Sequence, residues 1–204
     1  VDRGRIEAFS DGVLAVAITL LVLDLHIDTG RGRASVAHQL REQWPSFAAY
    51  AVSFLVIGVI WVNHHALFSM LAGVDRVLLF LNLVLLMFVA TIPFTTQTLA
   101  GTLHDGGADA RWGVVLYGIS NEGMAIGYSL LLRHMLRRQL FYRPVPRDEG
   151  RSALRRFGLG LVVYPVVTVL GLFSAPAMLV AYLALTLYYM FEQTQLLPSQ
   201  PATD

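Results

Sequence analysis

Apolar runs long enough to cross a lipid bilayer alternate along this chain with short polar breaks, and the breaks set the expected topology. A crossing takes about 20 predominantly apolar residues, and six segments approach that length: 6–25, 45–71, 77–99, 112–132, 157–173 and 176–191. The polar stretch 26–43 reads as a short surface helix or loop, and "AGVDR" at 72–76 leaves room only for a tight hairpin between the second and third spans. "GTLHDGGADAR" is a glycine-rich turn, and "SAP" at 174–176 is another tight connection. The pattern predicts an all-α polytopic membrane protein with six transmembrane helices in a single domain over 1–204.

Composition supports that reading. The chain is 55% hydrophobic and 14% charged, with mean hydropathy +0.58, whereas soluble domains carry about 25% charged residues. All fifteen basic residues are arginine, and eight of them fall between 133 and 156. By the positive-inside rule this arginine-rich stretch is a cytoplasmic loop. Six spans then place both termini in the cytoplasm, with eleven arginines inside (3, 5, 76 and the eight) and four outside (31, 33, 41 and 111). A net charge of +1 gives no reason to expect a nucleic-acid partner; topology and lipid headgroups account for the arginines. The absence of lysine and cysteine removes Schiff-base and thiolate chemistry. With no nucleophile–base arrangement, phosphate-cradling loop or metal-ligand cluster, neither an enzyme, a cofactor, a bound metal nor a soluble substrate is expected.

The first span, "RIEAFSDGVLAVAITLLVLDLHID", mixes an apolar ladder with polar ends. At about 100° per residue, Phe9, Gly12, Val16, Thr19, Leu20, Leu23 and Ile27 share one face roughly 100° wide. Ser10 and Asp11 fall well off it. Buried polar groups in a bilayer normally face protein or water, so Ser10 and Asp11 are expected to grip neighbouring helices. The apolar face is free to meet lipid, another helix or a pore.

Partners for the polar end come from "WVNHHALF" at 61–68, where His64 and His65 lie near the end of the second span, and from Asn82 in "FLNLV" on the third. Adjacent histidines project about 100° apart, a poor chelating pair on one helix; a hydrogen bond to Ser10 or Asp11 is the better use. Glu122 in "ISNEGMAIG" is a second ionisable group inside a span. Glu122 or His64/His65 would serve the rival function, a proton-coupled secondary transporter.

"RIEAFSDGVLAVAITLLVLDL", followed by "WVNHHALF" and "LNLVLLMFVATIPFTT", resembles the bacterial members of the endosomal and lysosomal potassium channel family, whose first helix carries an "FSD" signature. The resemblance is close over the first three helices and extends to all six in number and order. It implies a homotetramer of six-helix subunits in the bacterial inner membrane, the first helices lining a central pore. The constriction would be layers of hydrophobic side chains: Val16 narrowest, with Leu20 and Leu23 beyond it and Gly12 on the same ladder. Thr19 would match a hydroxyl layer associated with potassium selectivity in some members. Arg5 and the motif residues Phe9, Ser10 and Asp11 would join His64 or His65 and Asn82 in a network tying the first helix to the next two. Potassium would be the permeant ion, narrow apolar rings would gate by dewetting, and Asp24 and Asp28 would form a cation-concentrating outer vestibule.

Overall fold

The computed structural model describes residues 3–27, 35–105 and 108–191, and among these the regular elements are helical. α1 (Arg3–Leu20) runs into a 3-10 turn at Leu21–Asp24. It is followed by the short α2 (Val36–Glu42), α3 (Trp44–Ser69), α4 (Arg76–Asp105), α5 (Ala108–Arg138), α6 (Arg147–Gly158), α7 (Gly160–Gly171) and α8 (Ala175–Phe191). The starts follow local chemistry. Ser35 Oγ accepts from the His38 N–H at the head of α2, Pro45 sits in the first turn of α3, and Asp75 accepts from the Leu78 N–H at the head of α4. Each supplies what a helix N-terminus lacks or tolerates.

Four described stretches are long and apolar enough to cross a membrane: Arg3–Leu23, Trp44–Ser69, Arg76–Gly101 and Arg147–Gly171. α5 is long enough, but Asn121, Glu122 and its terminal arginines dilute its hydropathy, and the apolar α8 is shorter. The stretch 133–156, expected as a loop, is mostly helical. Residues 133–138 complete α5, and 147–158 form α6, so the connection shrinks to 139–146. Asp148 and Glu149 in the first turn of α6 and Arg155 and Arg156 in its last complement the helix dipole, while Gly150 and Ala153 are buried.

α1 packs on α3 and α4, α4 runs along α5, and α7 and α8 close the far side against α5 and α3. Glycines set the α4–α5 approach. A Cβ on Gly123 would strike the Phe88 ring, and one on Gly127 would lie 2.9 Å from Leu85 Cα. Small residues at such crossings let backbones close, which matters where lipid removes the hydrophobic drive between helices.

At the arginine-rich end the two turns are stitched together. Ala72 N donates to Leu140 O (2.8 Å) and Tyr142 N to Met70 O (3.0 Å). α5 stops through Gln139, whose φ of 50° is left-handed, and Leu140 N then reaches back to Met135 O (3.1 Å). This is the Schellman closure usually made with glycine.

Candidate functional site

The first helix has two faces that the rest of the fold treats differently. Ile6, Ser10, Leu14, Ala17 and Leu21, spaced at three or four residues, are buried against α3 and α4. Around the helix and its 3-10 extension, Phe9, Gly12, Val16, Thr19, Leu20 and Leu23 are exposed; Val16 is 56% and Leu23 62% exposed, against 1% for Leu14, while Ile27, expected on the same helical face, is exposed beyond the helical turns, which end at Asp24. Nothing approaches a Cβ built on Gly12 within 4 Å. A shallow groove runs along this face from Ala8 to Leu20 and is flanked by Ala90 of α4. Thr19 Oγ1 donates to Val16 O (2.9 Å), so its hydroxyl proton is spent inside the helix and its lone pairs face outward.

Behind the ladder, a buried chain of hydrogen bonds joins three helices. Ser10 Oγ donates to Ile6 O (2.9 Å) and accepts from Asn82 Nδ2 (2.8 Å). Asn82 Oδ1 lies 2.8 Å from His64 Nε2. An amide oxygen only accepts, so His64 must carry its proton on Nε2. The His64 ring stacks on Phe68 with centroids 4.0 Å apart, and its Nδ1 is buried without a protein partner. Ser10, Asn82 and His64 are all almost fully buried.

A second set of contacts runs up the side of α1. The Arg3 guanidinium donates to Ser69 O (2.9 Å) and Leu71 O (3.3 Å), Glu7 Oε1 lies 3.0 Å from His65 Nδ1, and Trp61 Nε1 donates to Asp11 Oδ1 (3.0 Å). α1 and α3 are antiparallel. Each step of four up α1 (3, 7, 11) therefore meets a step of four down α3 (69, 65, 61), giving three rungs on consecutive turns. The structure thus separates the two histidines: His64 joins Asn82 and Ser10, and His65 joins Glu7. Asp11 meets Trp61. Arg5 is exposed, and Arg3 is the arginine that holds the end of α3. Glu7, Trp61 and Arg3 are not among the partners expected from the motif, although the four-residue spacing Arg3–Glu7–Asp11 lies beside it in the sequence.

Below the rungs, Asp75 receives His134 Nε2 at 2.8 and 3.0 Å, with Arg138 Nε at 3.9 Å. Burial works to raise the Asp75 carboxyl, but the Leu78 N–H, His134 and Arg138 outweigh it and hold the group below its ordinary 3.8.

Asp24 closes the 3-10 turn at the opposite end of α1, and Asp28 lies outside the described residues. Glu122 sits on α5, away from α1, with one carboxylate oxygen buried and without a hydrogen-bond partner. Among the described residues no three histidine, aspartate or glutamate side chains gather closely enough to hold a metal ion.

Apolar helices of crossing length, a polar network buried between them and an apolar face left open on the first helix define an all-helical integral membrane protein. A family model described as the endosomal/lysosomal potassium channel TMEM175 matches residues 5–93, the stretch that carries Ser10, His64 and Asn82. A curated potassium channel of Streptomyces collinus is 45% identical over 94% of this chain and 93% of its own length. Another, from Chamaesiphon minutus, is 35% identical over 85% of this chain and 86% of its own. The crystal structure of a lysosomal potassium-selective channel TMEM175 homolog from Chamaesiphon minutus superposes with a TM-score of 0.82 at 32% identity, covering 94% of this chain and 98% of that one. The chain belongs to the TMEM175 family. Its relatives carry the names of ion channels rather than enzymes.

Proposed function

We propose that the chain is one subunit of a potassium-permeable channel, a homotetramer in the bacterial inner membrane whose four α1 helices surround a central pore. Each subunit crosses six times, through α1, α3, α4, α5, the joined α6–α7 and α8, with both termini and the arginine-rich end in the cytoplasm. The observation that supports this most is the asymmetry of α1. Three rungs to α3 and the Ser10–Asn82–His64 chain hold one side, while Val16, Leu20 and Leu23 stand exposed on the other. The potassium-channel names of full-length relatives add the ion.

Four-fold repetition turns the ladder into rings. Val16 forms the narrowest, and Leu20 and Leu23 continue the apolar lining toward the outer end. A narrow apolar ring excludes water and with it ions; a small rotation or splaying of α1 widens the ring and wets it. Thr19, its proton committed to Val16 O, presents oxygen lone pairs to a cation that has shed water. Gly12 leaves the inner mouth wide. By sequence position Asp24 and Asp28 follow the ladder, and four copies would contribute up to eight carboxylates that raise the local cation concentration at the outer mouth. Arg5, Phe9 and Asp11 belong to the motif end, where α1 is anchored. Ions move down their gradient without covalent chemistry or a cofactor.

Purified protein in planar bilayers under a potassium gradient tests this. Currents that reverse at the potassium equilibrium potential, from particles whose mass corresponds to four subunits, are expected. Saturable flux that requires a proton gradient and vanishes in Glu122→Gln would contradict the channel and favour a transporter.

A further inference from the structure

We propose that the groove between α4 and α5 at the arginine-rich end binds one anionic glycerophospholipid, a site separate from the α1 face. The groove has a volume of about 540 Å³ and is lined by Leu81, Leu130, Arg133, His134, Arg137 and Arg138. Leu130, Arg133 and Arg137 follow one another at helical spacing along α5, so a single stripe passes from apolar to cationic. His134 and Arg138 form the neighbouring stripe, and Asp75 holds both. Arg133 and Arg137 are exposed and have no acidic partner among the described residues.

The level of the groove along the helices selects the ligand. "YSLLL" at 128–132 is the apolar end of α5, and the arginines begin at the next residue. Leu81 stands more than one turn inside the start of α4 at Arg76. The groove therefore spans the boundary between hydrocarbon and headgroups, with leucines on the acyl side and arginines on the water side. Guanidinium forks match phosphate oxygens in paired hydrogen bonds, and arginines just beyond a membrane helix attract anionic lipid. A free phosphate ion would use only the rim, and a soluble acidic peptide would not reach Leu81 within the bilayer. An anionic phospholipid uses both ends.

Native mass spectrometry of the detergent-purified protein, mixed with phosphatidylglycerol or phosphatidylcholine at equal mole fraction, tests the site. The expected result is preferential retention of phosphatidylglycerol, weakened about fivefold for each arginine removed in Arg133→Gln and Arg137→Gln, unaffected by millimolar inorganic phosphate, and only partly kept in Arg133→Lys/Arg137→Lys, which retains the charge but not the fork. Arg151→Gln with Arg155→Gln, on α6, is expected to leave the preference unchanged. Equal retention of the two lipids would overturn the proposal. So would an undiminished preference in the Arg133/Arg137 double glutamine variant when its gel-filtration profile matches the wild type, an equal loss in the α6 variant, or displacement by inorganic phosphate.

Discussion

Asn82 is the residue through which α1, α3 and α4 are joined, because its amide both donates to Ser10 and accepts from His64. Asn82→Ala strips two buried groups of their partner at once, and each unsatisfied polar group costs about 1–3 kcal/mol. The variant is expected to lower the thermal unfolding midpoint in detergent more than Ser10→Ala, which leaves the Asn82–His64 bond between α3 and α4 in place; a midpoint equal to the wild type's in Asn82→Ala would show that the chain carries no stability. Arg3→Gln is expected to destabilise the protein more than Arg5→Gln, since only Arg3 reaches the carbonyls that end α3. Asp75 supplies the pH dependence. Its folded-state pKa is depressed, so its stabilising contribution is complete above the ordinary 3.8 and is lost as pH falls through the lower folded value. An acid unfolding titration of Asp75→Asn should show a shallower loss below that pH than the wild type, and parallel curves would contradict the role. At this scale the sequence placed Ser10 off the ladder face by angle alone, and the structure buries it. Which histidine met which partner was not legible, because adjacent residues on a helix differ only in direction and the direction depends on the facing helix. The rungs from Glu7 and Asp11 were written in plain four-residue spacing, but attention to the motif favoured Arg5 over Arg3.

Helix crossings give the tests at the level of elements. Gly127→Ala drives a methyl toward Leu85 Cα, in backbone that cannot step aside, and is expected to cost about 1–3 kcal/mol. Gly58→Ala on α3 meets open space and should be neutral or stabilise by about 0.5–1 kcal/mol through the unfolded chain. Paired melting curves check this, and similar effects at both positions would refute the close α4–α5 crossing. The helices themselves were legible because long apolar runs with short polar breaks admit few alternatives in a bilayer. The arginine-rich stretch looks like a loop in the sequence because its charge density masks its helical period. The small residues Gly150 and Ala153 on one side of α6, with charges on the other, carry the helical pattern that the count of arginines hid.

For the whole molecule, the proposed pore requires that the ladder on α1 face copies of itself. A single subunit presents Val16, Leu20 and Leu23 to the surroundings in the same way that α7 presents Val162, Val166 and Val169. Exposure alone does not tell a pore from lipid, and the angular positions along α1 leave that choice open for the same reason. Family membership and the anchored opposite face of α1 favour the pore. The chain contains no cysteine, so single cysteines can be introduced without background. The most direct test is to record bilayer currents from Leu23→Cys and Val166→Cys proteins before and after adding a small cationic thiol reagent. The expected result is that the reagent cuts the current through Leu23→Cys and leaves Val166→Cys unchanged. Indifference at Leu23, or block at Val166, would contradict the assignment of α1 to the pore.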